Sequence, residues 1–283
     1  MKRRELFRSV GKAGIIGLLG FTEHSRNMMT AFNEPLLNDN KTITKKSKTM
    51  KTIGILGGIG PQATMSFESQ FHNAAKQVIP PLFNSGYPPM VVYYHRFAPI
   101  VINEDLTPVL PMQPDPRLLD AAKNLGSMAD FLVITSNGIH NLQKDIEQAS
   151  GRKVLSMIDI TLEEVKKRKW KKVGVIGYRN ALVYTNRLKE MGIAFETISA
   201  DQQEKIDATV KKVMESRDDM DDRLLMMEVI GFLKAKNVDG IIPGCTELPL
   251  LLTATTQDEN ILNPSRLLAE AAVKYSLSQH DKK

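Results

Sequence analysis

The sequence predicts an α/β protein of two similar domains, each a parallel sheet flanked by helices, related by a pseudo-two-fold axis with a site in the cleft between them. Two observations predict it. From Lys51 onward, short apolar runs alternate with amphipathic stretches of helical length, and strands separated by helices pair in parallel with both sheet faces covered. Two segments also repeat. Asp130-Phe131-Leu132-Val133-Ile134-Thr135-Ser136-Asn137 and Asp239-Gly240-Ile241-Ile242-Pro243-Gly244-Cys245-Thr246 share an Asp, an apolar run and a small nucleophilic residue six positions after the Asp. Each half also opens on a similar strand, Gly54-Ile55-Leu56-Gly57 and Gly174-Val175-Ile176-Gly177. A duplication of this kind sets Ser136 and Cys245 at equivalent positions, facing each other across the cleft.

The elements follow in order. Thr52 to Gly57 reads as a buried strand ending in glycines, and Pro61 sits where a helix begins. Met90 to Tyr94, Phe131 to Ile134, Val173 to Ile176 and Gly240 to Ile242 are further strands. Helical patterns cover Pro116 to Leu125, Ile158 to Lys169, Ala181 to Met191 and one long stretch from Gln202 to Lys236. In that stretch Met220 and Met227, seven apart, are expected to be core or dimer contacts. Trp170 is expected to cover the edge of the core.

Composition narrows the functions. The 283-residue chain has 42% apolar residues and one Cys, which excludes disulfide frameworks and cysteine-clustered metal sites. The net charge of +6 belongs to the N-terminus: residues 1–50 carry 10 basic and 4 acidic side chains, leaving 28 of each in the remainder. No basic patch with interleaved aromatics suggests nucleic acid. The N-terminus itself reads Met1-Lys2-Arg3-Arg4, followed by the apolar run Ala13 to Phe21. Twin arginines before a short apolar stretch resemble a twin-arginine export signal, favouring the periplasm over the cytoplasm. The alternatives for residues 1–49 are a disordered tail or an extension upstream of a start at Met50. The run is too short for stable membrane insertion, which needs about 20 residues.

In an α/β protein ligands bind at the carboxyl ends of the strands. There Gly244-Cys245-Thr246-Glu247 places the thiol at a strand-to-helix junction, where a thiol near its ordinary pKa of about 8.5 is readily made a base. The backbone N–H groups, the Asn137 amide and the Thr246 hydroxyl suit a carboxylate whose enediolate character grows as an α-proton leaves. Paired residues on opposite faces of a carbon are what stereochemical inversion requires. His140, one turn after Ser136, either orients the serine or packs as a structural histidine. Glu247 either balances charge beside Cys245 or caps a helix, and Thr64 either reaches the site or bonds back to its own helix. Gly57-Gly58-Ile59-Gly60 lacks both the P-loop Lys and the dinucleotide spacing, and reads as a tight turn near substrate.

Residues 50–277 resemble the aspartate/glutamate racemase superfamily. The opening block Lys51 to Thr64 is similar to that of aspartate racemases, Gly244-Cys245-Thr246-Glu247 to the second catalytic cysteine motif, and Ser136-Asn137-Gly138-Ile139-His140 to the first, usually Cys-Asn-Thr-x-His. The resemblance implies a first domain of residues 51–155 plus 262–283, a second of 156–261, a homodimer, no cofactor, and an amino acid or similar small carboxylate as substrate. It implies catalysis by Cys245 and Ser136, with Asn137, Gly138, Thr246, Glu247, Thr64, Arg96 and His140 around the substrate. Three departures stand out: Ser136 replaces the first cysteine, Gly138 replaces a carboxylate-binding Thr, and Gly177 to Ala181 lacks the family's threonines. Arg96 is a displaced substitute for an expected Arg. The expected activity is α-proton transfer on aspartate- or glutamate-like substrates, selective for the L form. Decarboxylation or isomerisation by a single thiol, with Thr135 and Ser136 holding oxygens, and non-catalytic carboxylate binding are the alternatives.

Overall fold

The computed structural model describes residues 50–80, 86–104, 107–253 and 258–278. The export-like segment and the other expectations for residues 1–49 lie outside them. Two parallel sheets form the frame. The first, ordered β2-β1-β3-β4, contains β1 (Ile53–Gly57), β2 (Met90–Tyr94), β3 (Phe131–Ile134) and β4 (Val154–Leu155). The second, ordered β6-β5-β7, contains β5 (Lys172–Ile176), β6 (Ala194–Thr197) and β7 (Gly240–Pro243). A parallel bridge from Ile241 to Ile261 extends the second sheet at the place β4 occupies in the first. The two sheets therefore run through the same strand order.

The repeated aspartates show what keeps the halves alike. In the first, the Asp130 carboxylate accepts from the Thr52 amide at 2.7 Å, just before β1. In the second, the Asp239 carboxylate accepts from the Lys171 and Lys172 amides at 2.6 and 2.9 Å, at the start of β5. Each Asp thus fixes the register of the central strand against its neighbour. Five residues on, the amides of Thr135 and Gly244 bond the carbonyls of Leu56 and Ile176 at 3.2 and 2.6 Å. Ser136 and Cys245 follow at matched positions.

Helices cover the sheets: α1 (Pro61–Val78), α2 (Pro116–Met128), α3 (Gln143–Ser150), α4 (Met157–Lys167), α5 (Leu182–Glu190), α6 (Ala200–Met214), α7 (Met220–Lys234) and α8 (Pro264–Leu277). The C-terminal α8 returns to the first sheet, where Leu268, Ala269, Ala272 and Val273 pack with Phe67 and Phe71 of α1. α4 serves both cores, giving Met157 to the first and Ile158, Leu162 and Val165 to the second. Trp170 packs on the second core against Gly240.

Gln202 to Lys236 is not one helix. Ser216 takes a positive φ of 55°, and Asp219 begins α7 with a capping box to Asp222, worth about 1 kcal/mol. Met226 rather than Met220 or Met227 enters the core: Met220, Leu224 and Met227 form an exposed stripe on α7, while Met226 is fully buried. Among the described residues, no helix is long and apolar enough to cross a membrane.

Candidate active site

The site begins at Cys245, on the turn that leaves β7. The small residues before it are dictated by crowding: a Cβ on Gly244 would lie 2.6 Å from the Ala181 Cβ and 3.0 Å from the Tyr184 ring. That closeness brings the β5 and β7 turns together. Cys245 is partly buried, and its Sγ donates to Glu247 Oε2 at 3.0 Å. Burial, the Glu247 charge and this hydrogen bond push the thiol pKa well up, while the backbone N–H groups of Glu247 and Tyr178 pull it down. The turn supplying the Tyr178 amide is strained: Arg179, Asn180 and Ala181 have φ of 49, 61 and 43° in succession, a conformation that costs non-glycine residues about 1 kcal/mol or more each. Gln203 of α6 braces it, donating to the Gly177 carbonyl at 2.8 Å, and Asp207 accepts from the Arg179 amide at 2.9 Å.

Glu247 is buried and makes no side-chain cap, which removes its reading as a helix cap. Besides the thiol, Oε2 accepts from Thr246 Oγ1 at 3.1 Å, so this hydroxyl orients the carboxylate. Oε1 comes within 3.1 Å of where a Cβ on Gly60 would stand. The β1–α1 turn of the first half therefore closes over the second-half carboxylate, and Gln62 donates to Ser216 beyond the end of α6 across the same junction.

In the first half, Ser136 follows β3 and is partly exposed, and its hydroxyl has no hydrogen-bond partner among the described residues. The next residue, Asn137, is 3% exposed. Its Oδ1 accepts from the Tyr184 phenol at 2.8 Å, which leaves Nδ2 buried and without a partner among the described residues. Tyr184, which also packs on Gly244, thus ties the Ser136 turn to the Cys245 turn. Its phenol is wholly buried, and burial raises its pKa far above the ordinary value, so it is a permanent donor. Sequence reasoning missed Tyr184 because an aromatic residue inside an amphipathic helix reads as ordinary core. Gly138 is exposed, with nothing within 4 Å of an added Cβ. An open position therefore stands where the first motif usually has Thr.

Four expected site residues do other work. His140 is buried and spends both ring nitrogens on backbone: Nδ1 donates to the Ser136 carbonyl at 2.9 Å and Nε2 accepts from the Met157 amide at 3.0 Å. It is a neutral strut between the Ser136 turn and the N-terminus of α4, with its pKa lowered to about 4 by burial, and neither ring nitrogen is left for the serine hydroxyl. Thr64 is fully buried; its hydroxyl donates to the Gly60 carbonyl at 3.1 Å and accepts from the Gly58 amide at 2.9 Å. It staples the β1–α1 turn, whose Gly58 at φ 84° passes so close to the His95 backbone that no Cβ fits. Thr135 is tied to Thr64 at 2.8 Å and is 1% exposed, so it is unavailable to hold substrate oxygens. Arg96 lies exposed at the end of β2, stacked over Tyr94 at 4.9 Å. A pocket of about 740 Å³ opens beside Tyr178 and Arg179 along α6, and neither Cys245 nor Ser136 lines it. Among the described residues, no cluster of His, Cys, Asp and Glu is placed to hold a metal.

The two like halves thus carry a thiol and a hydroxyl at matched strand ends, with the buried Asn137 amide beside them. The chain belongs to the Asp/Glu/Hydantoin racemase family, whose model matches residues 56–272. The broad specificity amino-acid racemase RacX of Bacillus subtilis (strain 168) is 24% identical over 230 residues, covering 80% of this chain and 98% of that protein. Among solved structures, the Picrophilus torridus aspartate racemase superposes with a TM-score of 0.65 at 23% identity, over 80% of this chain and 94% of the other. An aspartate racemase homologue from Pyrococcus horikoshii OT3 gives 0.64 at 20% identity, over 80% and 99%. Both share the fold.

Proposed function

We propose that this protein is a cofactor-independent amino-acid racemase whose proton-transferring group is the Cys245 thiol. The observation that carries the reading is the pairing of Cys245 with Glu247 beside a junction where Tyr184 bonds Asn137. The Asn137 Nδ2 donor and nearby backbone amides suit a substrate carboxylate, and the thiolate takes the α-proton as charge moves onto that carboxylate. Ser136 occupies the other face. An aliphatic alcohol is a far weaker acid than a thiol, and among the described residues no side chain bonds it, so α-proton removal is fast only from the enantiomer presented to Cys245, which we assign as L-aspartate- or L-glutamate-like. Decarboxylation or isomerisation is the weaker reading, because the Thr135 hydroxyl it would use is occupied.

Proton NMR in D₂O tests the proposal. The α-proton signal of one enantiomer of at least one amino acid should wash out much faster than that of its mirror image. Equal washout of both enantiomers refutes the one-sided chemistry, and none from any amino acid refutes the racemase reading. We further propose that the protein acts as a homodimer, supported by the exposed Met220, Leu224 and Met227 stripe, and in the periplasm, supported by the twin-arginine pattern. Analytical ultracentrifugation and fractionation of cells producing the full chain check these two points.

A further inference from the structure

The pocket of about 740 Å³ beside Tyr178 and Arg179 is lined by neither Cys245 nor Ser136, and the proton transfer makes no use of it. Its volume falls within the range of small-molecule sites. Ala200, Gln203, Glu204, Asp207, Ala208 and Lys211 line it from α6, recurring every three or four residues as one helix face does. The β5–α5 turn adds Tyr178 and Arg179. Some of the charges there are already paired: Lys212 with Asp219 and Asp222 at 3.4 and 3.1 Å, and Arg217 with Glu215. Others are not. Among the described residues, Arg179 has no ion pair and only stacks its guanidinium over Tyr178 at 5.5 Å, and the Lys211 and Glu204 side chains have no ion pair or hydrogen bond. Asp207 Oδ1 accepts from the Arg179 amide and from Gln203 at 2.9 and 2.6 Å, neutral donors that leave its charge without a cation.

The backbone presents Arg179 in a way that demands support. At φ 49° and ψ 50° it is the first of three successive non-glycine residues with positive φ, a region that side chains disfavour. Gln203 and Asp207, whose hydrogen bonds hold this turn, both line the pocket. Strain maintained by its surroundings is a mark of ligand clamps.

From this geometry we propose that the pocket is a second small-molecule site, which binds a free amino acid as its zwitterion. Arg179 and Lys211 receive the carboxylate through charge-assisted hydrogen bonds, and Glu204 and Asp207 receive the ammonium. A ligand carrying both signs suits both pairs, whereas a simple anion or cation is repelled by one of them. The site goes beyond the racemase reading, since no bond is made or broken in it. Its occupant rests on the turn whose Gly177 packs against Gly244, the residue before Cys245.

Methyl NMR locates the binding. Ala200 and Ala208 line the pocket, so titrating the full chain, labelled at its alanine methyls, with L-alanine or L-aspartate should shift these two signals. Propionate, which lacks the ammonium, and alaninamide, which lacks the carboxylate, should bind at least about tenfold more weakly than alanine. Lys211→Ala should weaken the amino acids and propionate alike by about tenfold. Glu204→Gln should weaken the amino acids and alaninamide by a similar factor, about tenfold, and leave propionate unchanged or tighter. Opposite responses of the two half-ligands are a result that loosening of α6 does not give. Ala200 and Ala208 signals that stay unmoved with both amino acids, equal affinity for propionate and alanine, or undiminished affinity in Lys211→Ala each overturn the site. Absence of α-proton exchange overturns the racemase reading alone, because the methyl shifts do not depend on turnover.

Discussion

The Tyr184 phenol, fully buried on α5, donates a 2.8 Å hydrogen bond to Asn137 Oδ1 on the opposite half. This bond fixes which end of the Asn137 amide points inward. Tyr184→Phe keeps the ring and removes the donor, leaving Oδ1 buried without a partner. Stability measured by urea unfolding should drop by about 1–3 kcal/mol, the cost of an unsatisfied buried acceptor. Substrate KM should rise more than kcat falls, since the amide that receives the carboxylate is no longer held.

Gly138 opens onto free space, so a Thr side chain fits there. Gly138→Thr should leave unfolding within about 0.5 kcal/mol of the parent, as for other surface substitutions. It should also tighten amino-acid binding by adding a hydroxyl donor beside Asn137. Calorimetric titration with L-aspartate and L-glutamate checks this, and weaker binding would show that the carboxylate lies elsewhere.

His140 makes stability depend on pH. Its pKa falls from 6.5 to about 4 on folding, because burial opposes the charged form. Below about 6.5 the unfolded chain binds a proton that the folded chain refuses. The contribution is therefore complete above that value and is lost progressively as pH falls towards 4, amounting to about 3 kcal/mol in all. Urea unfolding at a series of pH values should show this slope, and His140→Gln should flatten it while lowering stability at neutral pH.

Ser136 stands where a second thiol would be, with its hydroxyl unpartnered among the described residues. Ser136→Cys should raise exchange of the slower enantiomer at least about tenfold, because a thiol is a far stronger acid than an alcohol. Exchange of the faster enantiomer should change little. NMR washout of the two enantiomers, run side by side, measures both.

Much of this was legible in the sequence. The Asp130 and Asp239 repeat marked the two halves because each aspartate pins its central strand, a local function that leaves a local signature. The matched positions of Cys245 and Ser136 were legible for the same reason. What spacing did not carry was direction: His140 lies one turn from Ser136, yet its ring faces backbone on both sides. Glu247 could be separated from a helix cap only by seeing which donors reach it. Tyr184 left no sequence signal because its importance comes from touching Gly244 and Asn137, residues distant along the chain. The break between α6 and α7 was masked by helix-forming residues on either side of Asp219.

The central claim is that the Cys245 thiol moves the α-proton. D₂O washout across L and D amino acids, comparing the unmodified protein with Cys245→Ala, tests it most directly. The account predicts rapid loss of the α-proton signal from one enantiomer of at least one amino acid, abolished in Cys245→Ala. Washout that persists without the thiol, or that never occurs with it, would contradict the account.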